Sequence, residues 1–308
     1  MTTSGIFLER LYLTLQGSHY LMTQPKLKEF FHKDTSTMTY IVWCEATKKC
    51  AIIDSVLDYD PHAGRTSTHL ADDIIAFINE HNLSAQWILE THIHADHLTA
   101  ASHLKKRLNA KTAIGERIKE VLDFWVPLYN IQKDTPSNGV QFDHLFQNGE
   151  TFKIGNLNAS VIHTPGHTPA CVSYHIEDSL FVGDSIFMPN LGTARVDFPG
   201  GSAETLYQSI QALFTLPDGT KIFVGHIYPK PDEPVVFETS IKEQKQKNIM
   251  LNSTTSLEDY RAKREARDKT LGVPRLLLPS LQVNLRAGNP GDPESNGTHY
   301  IKIPLNKI

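Results

Sequence analysis

The segment THIHADH, residues 91–97, carries four side chains that can bind a metal ion: His92, His94, Asp96 and His97. It directly follows the short apolar run 87–90, which we predict to be a strand. Side chains alternate in direction along an extended chain, so His92 and His94 are expected to face the same side. The turn after them brings Asp96 and His97 around a second position. This group suits one metal ion or two neighbouring ions, and its spacing is too specific for unrelated surface residues.

Three further candidate ligands follow other predicted strands. His167 comes after the Pro165-Gly166 turn, Asp184 ends the apolar run FVGD, and His226 ends the run FVGH. The carboxyl ends of strands in layered α/β folds converge on one crevice. We therefore expect the seven side chains to form a single cup. A carboxylate can offer one oxygen to each of two metal ions, so Asp184 suits a bridging position.

The elements that position these residues alternate between strands and helices, and the second half of the chain repeats the order of the first in outline. We predict strands over residues 39–44, 50–54, 87–90, 111–114, 151–154, 159–163, 171–175, 180–182 and 221–224, with a last strand at 300–304. We predict helices over residues 70–78, 99–108, 116–124, 203–214, 239–251 and 257–269. Residues 60–68 and 284–297 are rich in turn-forming residues and are predicted to be loops. This order favours two sheets packed face to face with helices outside.

Composition narrows the class of protein. The 308 residues include 30 basic and 34 acidic side chains, for a net charge of -4, which argues against a nucleic-acid-binding surface. Hydrophobic residues at 40% and charged residues at 21% are typical of a folded globular protein. Three cysteines do not make a disulfide framework, so we expect Cys44 and Cys50 to be free, buried thiols and the protein to be cytoplasmic.

The chain is expected to form one domain. No uncharged apolar run approaches the roughly 18 residues that a membrane span needs, and no secretory signal is evident. Met22 opens a steadily domain-like sequence, so we interpret residues 1–21 as a doubtful N-terminal extension. Residues 22–308 are then a single domain with C-terminal helices and a closing tail.

From about residue 22 onward, the chain resembles the metallo-β-lactamase superfamily, whose fold is an αββα sandwich of α/β (α+β) class with two mixed β-sheets and helices on both outer faces. The resemblance rests on the seven candidate ligands. Longer blocks are similar to bacterial persulfide dioxygenases (sulfur dioxygenases) of the β-lactamase-like hydrolase subgroup. These blocks are THIHADHLTAA, HTPGHTPACVSY, LFVGDSIFMPNLGTARVDFPGG and LPSLQVNLRAGNP.

The resemblance implies a mononuclear Fe(II) site held by His92, His167 and Asp184. Two histidines and one carboxylate leave open positions for a persulfide sulfur and dioxygen. The enzyme would convert glutathione persulfide and O2 to sulfite and glutathione. The remaining four cup residues would orient ligands or bound water, or hold a second metal, and Asp96 would also be catalytic; these four are His94, Asp96, His97 and His226.

The resemblance also implies a substrate site, in which Arg195 and Tyr228 bind the carboxylates of glutathione. Two positions depart from the family pattern. Ile227 stands where the family commonly has Asp, and Val196 stands where close relatives often carry Cys. The first change removes a carboxylate that would orient this region, and the second removes any redox role of that thiol.

Two other functions remain open at this point. The seven ligands also suit a dinuclear Zn(II) hydrolase of the glyoxalase II type, in which metal-bound hydroxide cleaves a glutathione thioester. A non-catalytic persulfide- or thiol-binding sensor would keep the fold, although the intact ligand set argues against it. No nucleic-acid or membrane partner is expected, and a homodimer is left open. Asp54, which ends a predicted strand, is expected to order the loop beneath the site.

Overall fold

The structure is a computed structural model and describes residues 24–307. The predicted extension over residues 1–21 lies outside the described residues. Among residues 24–307, no helix is both long enough and apolar enough to span a membrane.

The first sheet has six strands in the order β1-β2-β3-β6-β8-β9. The strands are β1 (Lys26–His32), β2 (Thr37–Trp43), β3 (Lys49–Ile53), β6 (Ser84–Leu89), β8 (Lys111–Gly115) and β9 (His144–Phe146). The first three strands pair antiparallel, and the pairs from β3 to β9 are parallel. The sheet is therefore mixed, as predicted, and the predicted hairpin of β2 and β3 is confirmed.

The second sheet also has six strands, in sequence order from β10 to β15. The strands are β10 (Thr151–Ile154), β11 (Leu157–His163), β12 (Val172–Ile176), β13 (Ser179–Phe181), β14 (Lys221–Phe223) and β15 (Glu238–Ser240). Only the pair of β13 with β14 is parallel. A small third sheet joins β5 (Arg65–Ser67), β4 (Val56–Asp60) and β7 (Leu98–Thr99).

The main core lies between the two large sheets. Alternate residues of β2 point to opposite faces, as the pleat requires. Met38, Tyr40 and Val42 belong to the core between the sheets, whereas Ile41 and Trp43 pack with the helices on the outer face. Two buried phenols tie the layers together: Tyr40 donates to the Val224 carbonyl at 2.7 Å, and the Tyr174 hydroxyl bonds across to the first sheet.

The described residues include seven helices, which lie outside the sheets as predicted. They are α1 (His69–Glu80), α2 (Ala101–Leu108), α3 (Ile118–Tyr129), α4 (Ala203–Leu213), α5 (Ile241–Lys247), α6 (Leu257–Asp268) and α7 (Leu277–Asn284). The buried residues of α1 and α2 pack on the first sheet, and those of α4 pack with the second sheet. Helix α7 packs with α3 in a separate cluster.

Four sequence-based assignments were wrong. The helix predicted over residues 239–251 is shorter, because β15 precedes α5 and α5 ends at Lys247. Residues 60–68 were predicted to be loop, but β5 pairs with β4 across the turn. Residues 300–304 form no strand; the backbone of Lys302 instead bonds to the side chain of Gln282. Helix α7 was not predicted, because polar as well as apolar residues are buried along it and no amphipathic period marks it.

Candidate metal centre

Four chain segments that follow strands of the two large sheets carry the seven predicted ligands to one place, as predicted from their positions after strands. His92 and His94 follow β6, and their rings lie 4.2 Å apart between centroids. His167 lies in the turn between β11 and β12, Asp184 follows β13, and His226 follows β14. The strands end at the same edge of the sandwich, so residues far apart in sequence face one another there.

His92, His167 and Asp184 form the first group of potential ligands. One nitrogen or oxygen from each lies within 4.8 Å of the others. Nε2 of His92 is 3.9 Å from Asp184 Oδ2, and Nε2 of His167 is 3.7 Å from the same oxygen. Both histidines are buried, and Asp184 is nearly so. The predicted iron ligands therefore lie together, facing one point.

His94, Asp96 and His97 form a second group with the same spacing. His226 joins it, with Nε2 lying 3.5 Å from Asp96 Oδ2. The other oxygen of Asp184, Oδ1, lies 3.3 Å from His226 Nε2. Asp184 thus lies between the two groups with one oxygen toward each, which is the position predicted for a bridging carboxylate.

Hydrogen bonds on the outer side of the cup fix the ring orientations. His167 Nδ1–H donates to the Arg195 carbonyl at 2.8 Å, and His226 Nδ1–H donates to the Ser36 carbonyl at 3.1 Å. Each ring then presents the lone pair of Nε2 to the centre. Such outer bonds, which fix the tautomer, are a regular feature of metal-bound histidines.

Thr91 and Asp54 orient His92 in the same way. The Thr91 hydroxyl donates to Asp54 Oδ2 at 2.8 Å, so His92 Nδ1–H donates to that hydroxyl at 3.0 Å. Asp54 also accepts the Thr91 backbone N–H at 2.8 Å. This arrangement is the loop-ordering role expected of Asp54.

Three buried ring nitrogens in the cup have no hydrogen-bond partner: His92 Nε2, His94 Nδ1 and His97 Nε2. A buried polar atom without a partner costs about 1–3 kcal/mol, so folded proteins rarely keep several together. A metal ion in the first group would take up the lone pair of His92, whereas those of His94 and His97 face the second group. The donor set, imidazole nitrogens with carboxylate oxygens, suits iron or zinc. The residues present therefore fit a bound metal.

His94 is tied to two buried carboxylates beneath the cup. Its Nε2–H lies 3.1 Å from Asp54 Oδ1 and 3.0 Å from Glu90 Oε2. Burial alone would lower the pKa of His94, but Asp54 and Glu90 together raise it well above its usual value. Glu90 was not among the predicted site residues. In the sequence, a buried acidic residue at the end of a strand looks the same as an exposed one.

Charge differs between the two groups of ligands. Burial, with repulsion from His94 and His167, holds the pKa of His92 well below its usual value, so this ring is a neutral ligand. Burial alone would raise the pKa of Asp96, but the neighbouring His226 and His97 hold it well below the ordinary range. Asp96 is therefore an ionised carboxylate inside the cup.

Asn284, at the end of α7, forms hydrogen bonds to the backbone of the loop that carries His94 and His97. Its Nδ2 donates to the carbonyls of His94 and His97, each at 2.8 Å. Its Oδ1 accepts the Thr99 backbone N–H at 2.8 Å. No local sequence pattern predicts this contact, because the partners are more than 180 positions apart.

A cavity of about 670 Å³ opens over the cup. Its wall is largely apolar and includes Phe187, Leu191, Phe198, Ile249, Met250, Leu271 and Pro274. The predicted substrate-binding residues, Arg195 and Tyr228, also line it, as does Arg267. A cavity of this size is typical of a site for a small organic ligand.

Arg195 and Tyr228 lie at the cavity, but their surroundings differ. Arg195 forms a two-point ion pair with Asp197, at 2.6 and 2.7 Å, and its third nitrogen donates to the Gly272 carbonyl. Tyr228 is 58% exposed and stacks on His226 with ring centroids 6.3 Å apart. Neither side chain reaches into the cup, and both are placed to contact a ligand that occupies the cavity.

The two departures from the family pattern have structural explanations. Ile227 is buried in the core between the sheets, and its backbone N–H donates to the same Ser36 carbonyl that orients His226. The chain thus orients this histidine without a carboxylate at position 227. Val196 is also buried, and its backbone N–H donates to Asp268.

The cysteines Cys44 and Cys50 are free and buried, as predicted.

Comparison with known proteins agrees with this geometry. Residues 33–226 match the family described as "Metallo-beta-lactamase superfamily". The chain is 50% identical over 290 residues to "Glyoxylase B2" of Dictyostelium discoideum, an alignment that covers 94% of this chain and 99% of that protein. It is 27% identical over 205 residues to human "Persulfide dioxygenase ETHE1, mitochondrial", covering 66% of this chain and 68% of the relative.

The chain is also 46% identical over 284 residues to the "Beta-lactamase hydrolase-like protein" of Xylella fastidiosa. That alignment covers 92% of this chain but only 65% of the relative, which is therefore considerably longer. Among solved structures, ETHE1 from Myxococcus xanthus superposes with a TM-score of 0.68 and 28% identity, covering 86% of this chain and 100% of that chain.

Proposed function

This chain belongs to the metallo-β-lactamase superfamily, and we propose that it is an iron-dependent persulfide dioxygenase. Its reaction would be the oxidation of glutathione persulfide by O2 to sulfite and glutathione. The main support is the buried face of His92, His167 and Asp184 beneath an open cavity. The similarity to persulfide dioxygenase ETHE1 and to the Myxococcus xanthus structure supports the same reaction.

His92, His167 and Asp184 would hold the iron. Two imidazoles and one carboxylate are the ligands of many oxygen-activating iron enzymes, and Fe(II) in such a face supplies open coordination positions and electrons to dioxygen. The chain's own contribution is to hold the two rings as neutral, oriented ligands. Thr91 and the Arg195 carbonyl do this through the outer hydrogen bonds.

Asp96 would serve as the catalytic carboxylate. It is charged, it lies within the cup, and it does not belong to the first ligand group. As an ionised carboxylate it can accept a hydrogen bond from the substrate or from water near the reacting sulfur and so orient that group. His97 and His226, which flank this carboxylate, would fix its position.

The cavity would bind the glutathione part of the substrate. Its apolar wall contacts the aliphatic parts of a tripeptide, and the exposed end of α6 places Arg267 at the same cavity as Arg195. Guanidinium groups pair well with carboxylates such as those of glutathione. Tyr228, at the rim, would supply a further hydrogen bond.

A second function, thioester hydrolysis with two Zn(II) ions, has a specific observation in its favour. Both ligand groups are complete, and Asp184 directs one oxygen to each. The similarity to "Glyoxylase B2" also supports it. Zinc would lower the pKa of a bound water toward about 7, which provides a hydroxide nucleophile at neutral pH.

Metal content and paired assays separate the two functions. We expect protein purified without oxygen to hold about one iron per chain. It should take up O2 when glutathione persulfide is added, and should hydrolyse a glutathione thioester no faster than background. Two zinc ions per chain, thioester hydrolysis and no O2 uptake would overturn the proposal.

A matched pair of variants distinguishes loss of a metal ligand from general loss of stability. His167→Ala should abolish both iron binding and O2 uptake. His103→Ala removes a histidine on α2 whose only side-chain hydrogen bond within the described residues is to Asp72 at the surface, at 3.3 Å, and it should leave both unchanged. Loss of O2 uptake in the His103 variant would indicate general instability rather than loss of a ligand.

A further inference from the structure

A small apolar pocket of about 20 Å³ lies beside the metal centre. It is bounded by α3, by α7 and by the segment that carries His92 and His94. Most of its wall consists of apolar side chains from these elements: Ile93, Val121, Trp125, Leu277 and Leu281. Ala95, His167 and Phe198 line both this pocket and the large cavity over the cup. The pocket therefore borders His167, a proposed iron ligand, and adjoins the cavity proposed for the substrate.

The chain around the first two histidines contributes to both the cup and the pocket. His92 and His94 provide ring nitrogens to the two ligand groups. Ile93 and Ala95 instead pack in the apolar cluster formed with α3 and α7. Successive side chains thus point to opposite sides of this segment. One wall of the pocket is therefore made by the residues that alternate with metal ligands.

The polar groups at the pocket are poorly suited to hold a water molecule, which needs two to four polar partners when it is buried. His167 Nδ1–H donates to the Arg195 carbonyl at 2.8 Å. The Thr168 hydroxyl is 3.1 Å from Cys171 Sγ and accepts the Ala170 backbone N–H at 3.3 Å. The Trp125 indole N–H adds one donor at most, which is too few for a buried water. The pocket therefore favours an apolar occupant.

The size of the pocket limits the occupant to a very small molecule. Its volume of about 20 Å³ exceeds the roughly 10–15 Å³ that one water-sized molecule needs. A diatomic gas fits such a space, whereas any part of a tripeptide beyond a single methyl group does not. Dioxygen is diatomic and apolar, and it is a substrate of the proposed reaction.

We propose that this apolar pocket is a binding site for dioxygen beside the metal centre, an inference that rests on the proposed function. The wall shared at Ala95, His167 and Phe198 places it next to the cavity for the persulfide, so each substrate has a space of its own. Transfer of an apolar molecule from water to apolar surroundings is favourable, so the pocket raises the concentration of O2 next to His167. Water and ions, which need polar partners, are disfavoured there.

A matched pair of substitutions on α3 tests the pocket by steady-state kinetics. Val121→Ile adds one carbon to a lining side chain, and we expect the KM for O2 to rise about fivefold, a loss that contacts to two ligand atoms can account for. The KM for glutathione persulfide, the iron content and kcat at saturating O2 should stay unchanged. Val126→Ile makes the same change at a buried residue of the same helix that does not line the pocket. It should keep the wild-type KM for O2.

A second measurement needs neither iron nor turnover. Dissolved O2 is paramagnetic and speeds the relaxation of nearby methyl groups, so the full-length protein without metal can be measured by NMR under O2 pressure. Leu281 and Val283 both lie on α7 and are 3% and 4% exposed, but Leu281 lines the pocket and Val283 does not. We expect O2 to speed the relaxation of the Leu281 methyl groups severalfold more than that of the Val283 methyl groups. Val121→Ile should remove this difference.

Three results would overturn the dioxygen site. They are an unchanged KM for O2 in Val121→Ile, an equal rise of that KM in Val126→Ile, and equal effects of O2 on the Leu281 and Val283 methyl groups of the wild-type protein. If the wild-type protein shows no O2 uptake with glutathione persulfide, the proposed function has failed instead. The relaxation measurement then still decides whether the pocket binds O2, because it does not depend on the reaction.

Discussion

At the scale of single residues, the cup depends on where each histidine keeps its proton. The outer nitrogens of His92, His167 and His226 donate to oxygen atoms outside the cup, so their inner nitrogens are free for a metal. The ligands themselves were predictable, because their spacing in sequence is distinctive. Their supporting partners were not, because Glu90 and the Ser36 carbonyl acquire a role only when the chain folds.

The two carboxylates of the cup offer a direct test of the ligand assignment. Asp184→Asn and Asp96→Asn make the same chemical change, but only Asp184 belongs to the proposed iron site. We expect Asp184→Asn to lose its iron and all O2 uptake. Asp96→Asn should keep about one iron per chain while kcat falls by roughly 100-fold, as for loss of a catalytic acid or base.

Metal analysis of the two variants, alongside O2 uptake, decides the question. Loss of metal in both variants to the same degree would favour a dinuclear centre, in which Asp96 is itself a ligand. Retention of iron in Asp184→Asn would contradict the proposed ligand set.

At the scale of elements, short turns at strand ends decide where each ligand points. Gly183, just before Asp184, has φ of +48°, a left-handed conformation that favours glycine. A Cβ there would lie 2.2 Å from the Thr91 hydroxyl, the group that orients His92. The close approach of these two segments therefore requires glycine, and it sets Asp184 beside His92.

Gly183→Ala should therefore disturb both stability and metal binding. We expect a loss of more than about 3 kcal/mol in the free energy of unfolding, from the left-handed strain together with the overlap. Gly64→Ala is the matched control: φ there is +59°, and nothing lies within 4 Å of the added Cβ. It should cost only about 1 kcal/mol and leave the iron content unchanged.

Urea unfolding and metal analysis of both glycine variants provide the measurement. Equal losses of stability in the two variants would show that the backbone conformation alone matters and that the contact with Thr91 does not.

Most elements of the two large sheets and six of the seven described helices were predictable in outline, since their apolar residues recur with the period of a strand or a helix. Two of the missed elements share a cause. Helix α7 is buried on several sides, and the three-residue strand β5 is too short to show alternation. Such elements are specified by their partners in the fold, which a local sequence pattern does not reveal.

At the scale of the whole molecule, the end of the chain completes the metal centre. Helix α7 brings Asn284 beneath the loop that carries His94 and His97. Arg286, two residues later, pairs with Asp134 at 2.9 Å and fixes the helix against the segment that follows α3. Hydrogen bonds and an ion pair thus join the loop that carries His94 and His97 to the C-terminal helix.

Asn284→Ala should weaken the attachment of this loop to α7. It leaves two carbonyls and one N–H buried without their partner, which we expect to cost about 3 kcal/mol of unfolding free energy and to weaken iron binding. Asn289→Ala, in the exposed turn that follows, removes only a bond to the Gly291 backbone and is the control. If the free energy of unfolding and the iron affinity are both unchanged in Asn284→Ala, the hydrogen bonds of Asn284 have no such role.

The proposed function requires that one iron ion in this cup supports persulfide dioxygenase activity. Its most direct test is a titration of metal-free protein with Fe(II), followed by O2 uptake with glutathione persulfide. We predict that the rate rises in proportion to added iron and stops rising at about one iron per chain. A break at two metal ions per chain, or no O2 uptake at any ratio while Zn(II) restores thioester hydrolysis, would overturn the proposed function.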